Sequence, residues 1–388
     1  MSRIFRRGLF AAAAGVAAFA AAAPAQSVLA ARGLGYPLEP VDARARALGG
    51  VGLGLPGATM TLVNPANPVG LPAPGVAVTF QPDQFDATAG DDATSGSTAR
   101  FPLIHVAFPI RAGQFTGSLA YGAFLDQNWR VSRFDSLSLT TGRTPVRDDF
   151  VSDGGVARFR AGLGYRVNDR LALGAAVDAY TGAVRDSSTR TIGGLIGALS
   201  STAITYTGTS FSAGARWTPL DALTVAAAVG SGGTLHADPD DELVSDRDYT
   251  LPVTVDAGAS ARISANTLIA VSGRWAGWSA ANEDLVASGG ARDVMSASAG
   301  LEFEGFSLLR QTLPVRIGGR ITQLPFRWIG DDAEFPEERA ISAGLGARLG
   351  RGAAQIDATV ERGSRGGGST GFDEPFWRLA FSLSVLGR

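Results

Sequence analysis

Along most of the chain, apolar residues recur at every second position. In 251-LPVTVDAGASARIS-264, Val253, Val255, Ala257, Ala259, Ala261 and Ile263 share one face, and Thr254, Asp256, Gly258, Ser260 and Arg262 share the other. A period of two is that of a β-strand with one apolar side. The same alternation runs through 338-ERAISAGLGARLG-350, 352-GAAQIDATVERG-363 and 374-EPFWRLAFSLSVL-386. About fourteen such segments are predicted, beginning near Gly75, Ala99, Gln114, Gly154, Arg170, Ser200, Leu223, Tyr249, Thr267, Ala291, Thr312, Glu338, Gly352 and Phe372. Many exceed the ~5 to 6 residues of a soluble strand and reach the ~9 to 11 that cross a bilayer.

The connections alternate in length. Tight ones fall at 111–113, 168–169, 219–222, 264–266 and 350–352, and long polar ones at 81–98, 133–153, 186–199, 231–248, 280–290, 326–337 and 363–371. The segment 304-EGFSLLRQTL-313 is longer than its place among the short ones predicts. Short turns at one end and long loops at the other mark an outer-membrane barrel; a sandwich has no reason to keep that rhythm. The predicted fold is therefore all-β, a transmembrane antiparallel β-barrel of about fourteen strands.

If the apolar face meets lipid, charges belong on the opposite phase, because an Arg facing lipid at mid-depth costs about 2 to 4 kcal/mol. Arg158, Arg160, Arg166, Arg216, Arg262, Arg316, Arg320, Arg348 and Arg378 occupy that phase, with Asp178, Asp256, Glu302, Asp357 and Glu361. These lumen-facing side chains are expected to brace the interior by mutual pairing rather than to contact a substrate.

The front of the chain does not alternate. MSRIFRRGLFAAAAGVAAFAAAAPAQS carries Arg3, Arg6 and Arg7, an apolar run and Ala23-Pro24-Ala25, the pattern of a secretory signal ending at residue 25. Beyond it, no stretch of eighteen apolar residues predicts a spanning helix. The chain has no Cys, so disulfides and thiol chemistry are excluded. Its net charge of -2 provides no basic excess for nucleic acid. Gly, at 51 of 388 residues, exceeds the usual ~7% and shows no collagen period. Inward-facing glycines would let strands bend and leave room for a plug. Residues 26–74 include 44-RARALGGVGLGLPGATMTLVNPANPVGL-71, irregular and rich in Gly and Pro. Irregular backbone at membrane depth is tolerated inside a barrel and not against lipid. This segment is therefore expected to enter from the periplasmic side and plug the lumen, with residues 75–388 forming the barrel.

The run 45-ARALGGVG-52 followed by Asn64, Pro65 and Ala66 resembles the N-terminal hatch of the FadL family of outer-membrane transporters for hydrophobic compounds. The segment 251-LPVTVDAGASARISANTLIAVSGRWAGWS-279 is similar to that family's Leu-Pro strand, turn and Trp-Ser strand end. The segments 313-LPVRIGGRITQLPF-326 and 338-ERAISAGLGARLG-350 resemble its PorV-type branch, found with the type IX secretion system. The resemblance implies an outer-membrane channel for passive uptake of hydrophobic small molecules, of the long-chain fatty acid or aromatic hydrocarbon type. Its alternative is a non-conducting PorV-like barrel that binds proteins. No cofactor or enzymatic activity is implied. The expected partners are outer-membrane lipid and lipopolysaccharide, a hydrophobic ligand and the barrel assembly machinery, with both termini periplasmic.

Other motifs are read more plainly. Gly52-Leu53-Gly54-Leu55-Pro56-Gly57 matches G-x-G-x-x-G but follows no strand and contains a proline, against a dinucleotide site. His105, in a strand, and His236, in a loop, lie far apart in sequence, so a His-based metal site or Ser-His catalysis would rest on one of them plus an unidentified Ser, against an enzymatic reading. The acidic stretch 238-DPDDELVSDRD-248 and the run Asp331, Asp332, Glu334, Glu337, Glu338 read as solvated outer loops. The apolar insert 191-TIGGLIGAL-199 reads as a short helix or a packed loop over the barrel mouth.

Overall fold

A computed structural model describes residues 27–388 except 91, 112, 140–141, 242–243, 309–310, 329–334, 368–370 and 388. The signal segment and Asp331, Asp332 and Glu334 lie outside the described residues. Fourteen antiparallel strands close into a barrel: β1 (Gly75–Ala89), β2 (Asp92–Arg111), β3 (Phe115–Asp126), β4 (Gly142–Arg166), β5 (Leu171–Ile192), β6 (Leu195–Leu220), β7 (Leu223–Pro239), β8 (Arg247–Ser264), β9 (Thr267–Ala276), β10 (Val294–Leu308), β11 (Gln311–Gln323), β12 (Glu337–Leu349), β13 (Ala354–Gly366) and β14 (Phe372–Leu386). Pairing of β14 with β1, from Leu386↔Gly75 upward, closes the wall. We call the end where β1 starts and β14 finishes the lower end.

The apolar phase faces outward, as the alternation predicts. Val253, Val255 and Ile263 on β8 and Trp377, Phe381, Leu383 and Val385 on β14 are all exposed. Closure leaves no unpaired backbone edge within this band, the condition for strands to cross a membrane.

Several segments expected to be polar loops are strands. Beyond the apolar band, β1 and β2 continue as a hairpin to Ala89↔Asp92, and β5 and β6 to Ile192↔Leu195. β3 resumes as Trp129–Leu139 and pairs β4 down to Leu139↔Gly142. The 191–199 insert is thus the tip of a hairpin that turns at Gly193-Gly194, both with positive φ, and not a helix over the mouth. Toward the tips of the hairpins that end at Ile192↔Leu195 and Leu139↔Gly142 most side chains on both faces meet water, so no apolar period announces them, whereas the extension of β1 keeps Phe85 and Ala87 buried on its inner face. At the lower end the 304–313 segment is likewise strand, with Phe306 paired to Leu313.

The break in β3 at Gln127-Asn128 is bridged rather than left open. Asn128 Nδ2 donates to Asp126 Oδ1 (2.7 Å) and Gly154 O (3.0 Å), and its Oδ1 accepts from Gly154 N (3.0 Å).

Residues 27–74 lie within the barrel, mostly buried. They comprise a 3-10 turn (Val28–Ala31), the two-residue strand Tyr36–Pro37 beside β3, a one-turn helix α1 (Ala43–Ala47) capped by Asp42, and irregular chain. Their direction differs from the expectation. Ser27 bonds Glu374, near the start of β14, while Gly387 N donates to Pro74 O at the strand's other end. The segment therefore descends the barrel from its upper end, and Ser27 and Leu386 sit at opposite ends of the wall.

The glycine excess has its physical reason here. A Cβ at Gly300 of β10 would sit 2.6 Å from Leu48 Cα, and one at Gly54 would sit 2.6 Å from Gly258 C of β8. Glycine lets the wall and the inner segment approach backbone to backbone.

Candidate functional site: the barrel interior

The interior is layered. Lowest lies the Asn64-Pro65-Ala66 turn. Asn64 is fully buried; its Nδ2 donates to Ala215 O (2.9 Å) on β6 and Ala227 O (3.3 Å) on β7, and its Oδ1 accepts from Ala66 N (2.8 Å). One amide thus closes the turn and ties it to the wall, opposite Gly174 and Gly214, where a side chain would collide with this turn. Arg216 donates to the carbonyls of Gly57 (2.8 Å), Asn67 (2.8 Å) and Val69 (2.6 Å). It serves as a guanidinium cap for irregular chain.

Above lies a buried ion-pair network. Arg44 of α1 makes two bonds to Glu302 (2.9 and 2.8 Å), which also accepts from Arg316 (2.6 Å); Arg316 in turn donates to Asp357 (2.6 Å). Arg320 bonds Glu338 and Glu361, and Glu361 accepts from Arg378 (2.8 Å). Asp83 joins Arg378 (3.1 Å) to Arg100 (2.7 Å). Arg365 donates to Glu338 (2.6 Å) and to Glu374, the residue that holds Ser27. Arg160 forms a paired fork with Asp178 (2.7 Å each) and also reaches Leu62 O. Each of these charges has an opposite partner and the network grips the inner segment, although Arg316 Nη2 and Arg100 Nε face no acceptor; pairing is the condition under which buried ions are tolerated.

Topmost is an apolar layer in which Phe124 packs on Tyr180 (4.7 Å between centroids) and Trp278 on Phe326 (5.3 Å). Between it and the charges a cavity of about 150 Å³ remains, with a roof of Phe124, Tyr180, Leu251 and Trp278 and a floor that includes Glu39, Arg158, Arg160, Asp178, Asp256 and Arg274. Nε of Arg158 faces no acceptor.

Of the lumen-facing charges predicted, Arg160, Arg316, Arg320, Asp357 and Arg378 are buried in the network and Asp256 is buried beside Arg274 (3.6 Å). Arg158 lines the cavity and Arg216 caps the inner segment. Arg262 is exposed near the lower turns, with its guanidinium 3.4 Å from Ala265 O. Arg348 pairs with Glu304 (2.6 Å), partly open to solvent. Sequence reasoning placed Glu338 and Arg365 in outer loops, but both are buried in the network. Alternation that continues through 337–341 was the available signal for Glu338. It missed Asn128 and Ser27 as well, whose roles depend on distant partners.

The histidines lie apart. His105 is buried against the inner segment, and His236 is not in a loop but in the upper part of β7, bonded to Asp248 (2.8 Å). Among the described residues no group of His, Asp and Glu side chains could hold a metal ion.

Three solved structures share this architecture. The CymD monoaromatic hydrocarbon channel superposes with a TM-score of 0.58 at 15% identity, covering 90% of this chain and 98% of that one. A Pseudomonas aeruginosa FadL homologue gives 0.61 at 14%, over 90% and 98%. The P. putida toluene transporter TodX gives 0.58 at 12%, over 90% and 99%. At such identities the likeness establishes the fold, a barrel of the FadL and TodX type. Among curated proteins no sequence matches. A family model described as BamG matches residues 6–229. That span is more than half of the chain and includes the inner segment and the first strands, so the chain belongs to the BamG family.

Proposed function

We propose that this chain is a closed outer-membrane barrel that works as a protein-binding component of the barrel assembly machinery, with residues 27–74 as a fixed hatch. The observation that carries the reading is the filled lumen. Ion pairs, most of them between wall strands and one from Arg44 of the hatch to Glu302, occupy its middle, and the cavity under the aromatic roof, about 150 Å³, falls below the ~300 to 1,000 Å³ of ordinary ligand pockets. A long-chain fatty acid does not fit, and the charged floor suits water better than hydrocarbon. The family name supports the association with barrel assembly, and the non-conducting alternative drawn from the PorV-type resemblance is of the same kind. Lipid and lipopolysaccharide are then the barrel's surroundings rather than its cargo.

A second reading, passage of small hydrophobic molecules, is favoured by the aromatic roof of Phe124, Tyr180 and Trp278 and by a volume like that of cavities that take benzene. The structurally similar hydrocarbon channel CymD and toluene transporter TodX point the same way. Depleting the protein in its native cell distinguishes the two. The first reading predicts less of the other outer-membrane barrels and unchanged uptake of toluene. Normal barrel content with slowed toluene uptake would overturn it in favour of the second.

A further inference from the structure

β4, β5 and β6, with Trp129–Leu139 beside them, rise from one side of the barrel as a four-stranded fin. On β6 the outward residues Trp217, Ala215, Ala213 and Phe211 are apolar, and Thr209, Thr207 and Thr205 follow. The lipid band thus ends near Phe211, and Thr202 to Leu195 lie beyond it by about 30 to 50 Å of strand at ~3.3 Å per residue.

The two edges of this fin are treated differently. The edge Trp129–Leu139 carries Arg130, Arg133 and Asp135, the charges that keep an open edge from pairing. The other edge, Leu195 to Thr202, reads LIGALSST, with neither charge nor proline. It pairs with β5 on one side. On the other, β7 ends at Pro239 opposite Ile204, and among the described residues no strand continues in its place. Leu195, Ile196 and Leu199 are 77%, 73% and 71% exposed.

The base of the open edge is acidic. Asp240 takes both backbone bonds of Ala203 (2.8 Å each), so pairing stops there. Asp238, opposite Thr205, and Asp241 flank it along the chain, and Asp246 and Asp248 follow beside His236 (3.8 and 2.8 Å).

We propose that this edge receives an extended segment of another polypeptide, which adds as a strand in the place β7 vacates, with apolar residues on alternate positions and basic residues at the end over the acidic loop. Addition antiparallel to β6 continues the direction of β7, which puts the partner's N-terminal end at the acidic base. A second copy of this edge offers no basic residue there. The surface gives the protein-binding reading a location and rests on it. A conducting barrel would remove that reading and leave an edge that still binds peptide. A closed barrel whose edge binds nothing would remove this inference alone.

The test uses the full chain in nanodiscs and a fluorescent peptide of eight alternating Val and Thr residues preceded by two arginines. Saturable binding is expected, with slowed amide exchange confined to 195–202 and neighbouring β5. Replacing the arginines with glutamates should weaken binding about fivefold, in line with exposed ion pairs. N-methylating alternate amides should weaken it about tenfold, because strand addition relies on main-chain bonds. Leu199→Lys should weaken it similarly with unchanged exchange elsewhere. Equal binding of the N-methylated peptide would overturn the inference. So would protection of 195–202 that rises with protein concentration without peptide, or with anionic lipid vesicles alone.

Discussion

Asn64→Ala is the sharpest perturbation of the inner segment. The wild-type amide is fully buried and makes three bonds, two donated to wall carbonyls and one accepted from Ala66 N. Alanine leaves the Ala66 N–H without its acceptor, at about 1 to 3 kcal/mol, and forfeits two donated bonds of about 0.5 to 1.5 kcal/mol each. The wall carbonyls belong to the β6–β7 ladder, so the lower halves of these ranges apply. The expected loss is about 2 to 4 kcal/mol, or roughly 30- to 1,000-fold in the seating of the turn. Asn64→Asp separates the contributions. Its carboxylate can still accept from Ala66 N but cannot donate, and it faces two carbonyl oxygens, so it should loosen the turn more than alanine does. The assay is amide hydrogen exchange over residues 59–71 in micelles, with β11–β13 as internal reference. Exchange in Asn64→Ala indistinguishable from wild type would refute the reasoning, as would an aspartate variant as well protected as wild type.

Three further outcomes follow from the same geometry. Gly300→Val should block seating of Leu48 and give a barrel that loses heat resistance on gels, whereas Gly273→Val, whose nearest neighbour lies 3.6 Å away, should behave as wild type. Arg320→Met takes one guanidinium from each of Glu338 and Glu361, which keep Arg365 and Arg378, and should cost about 3 kcal/mol in urea unfolding, the lower end for breaking a buried pair, since the network is left with excess negative charge; adding Glu361→Gln should recover part of it. His236 titrates above its ordinary value of 6.5 because of its hydrogen bond to Asp248. Its contribution to holding β7 against β8 is fully present below pH 6.5 and fades as pH rises through the raised value, visible as falling protection factors at 246–250, which should not change with pH in His236→Gln.

What could be read from the sequence follows from which solvent each residue meets. Where one face touches lipid and the other the lumen, alternation is strict. The expected strand starts at Gly75, Leu223, Thr267 and Phe372 coincide with those observed. Toward the tips of the hairpins above the lipid band most side chains on both faces touch water, so β4 begins at Gly142 rather than near Gly154, and β6 at Leu195 rather than Ser200. The inward phase of the charges was legible, but their partners were not, because Arg160↔Asp178 is a matter of register that periodicity does not set. Arg262 shares the inward phase yet lies near the lower turns, where water reaches it; phase reports side, not depth. The path of the inner segment was read in reverse, since its anchor joins Ser27 to a residue 347 positions away and no local pattern encodes that contact.

The central claim is that the lumen is shut. Single-channel recording of the full-length protein in planar bilayers, beside a variant that lacks residues 26–74, tests it most directly. A silent full-length protein and a variant that opens in steady steps is the predicted result. Steps of equal size from both would contradict the account.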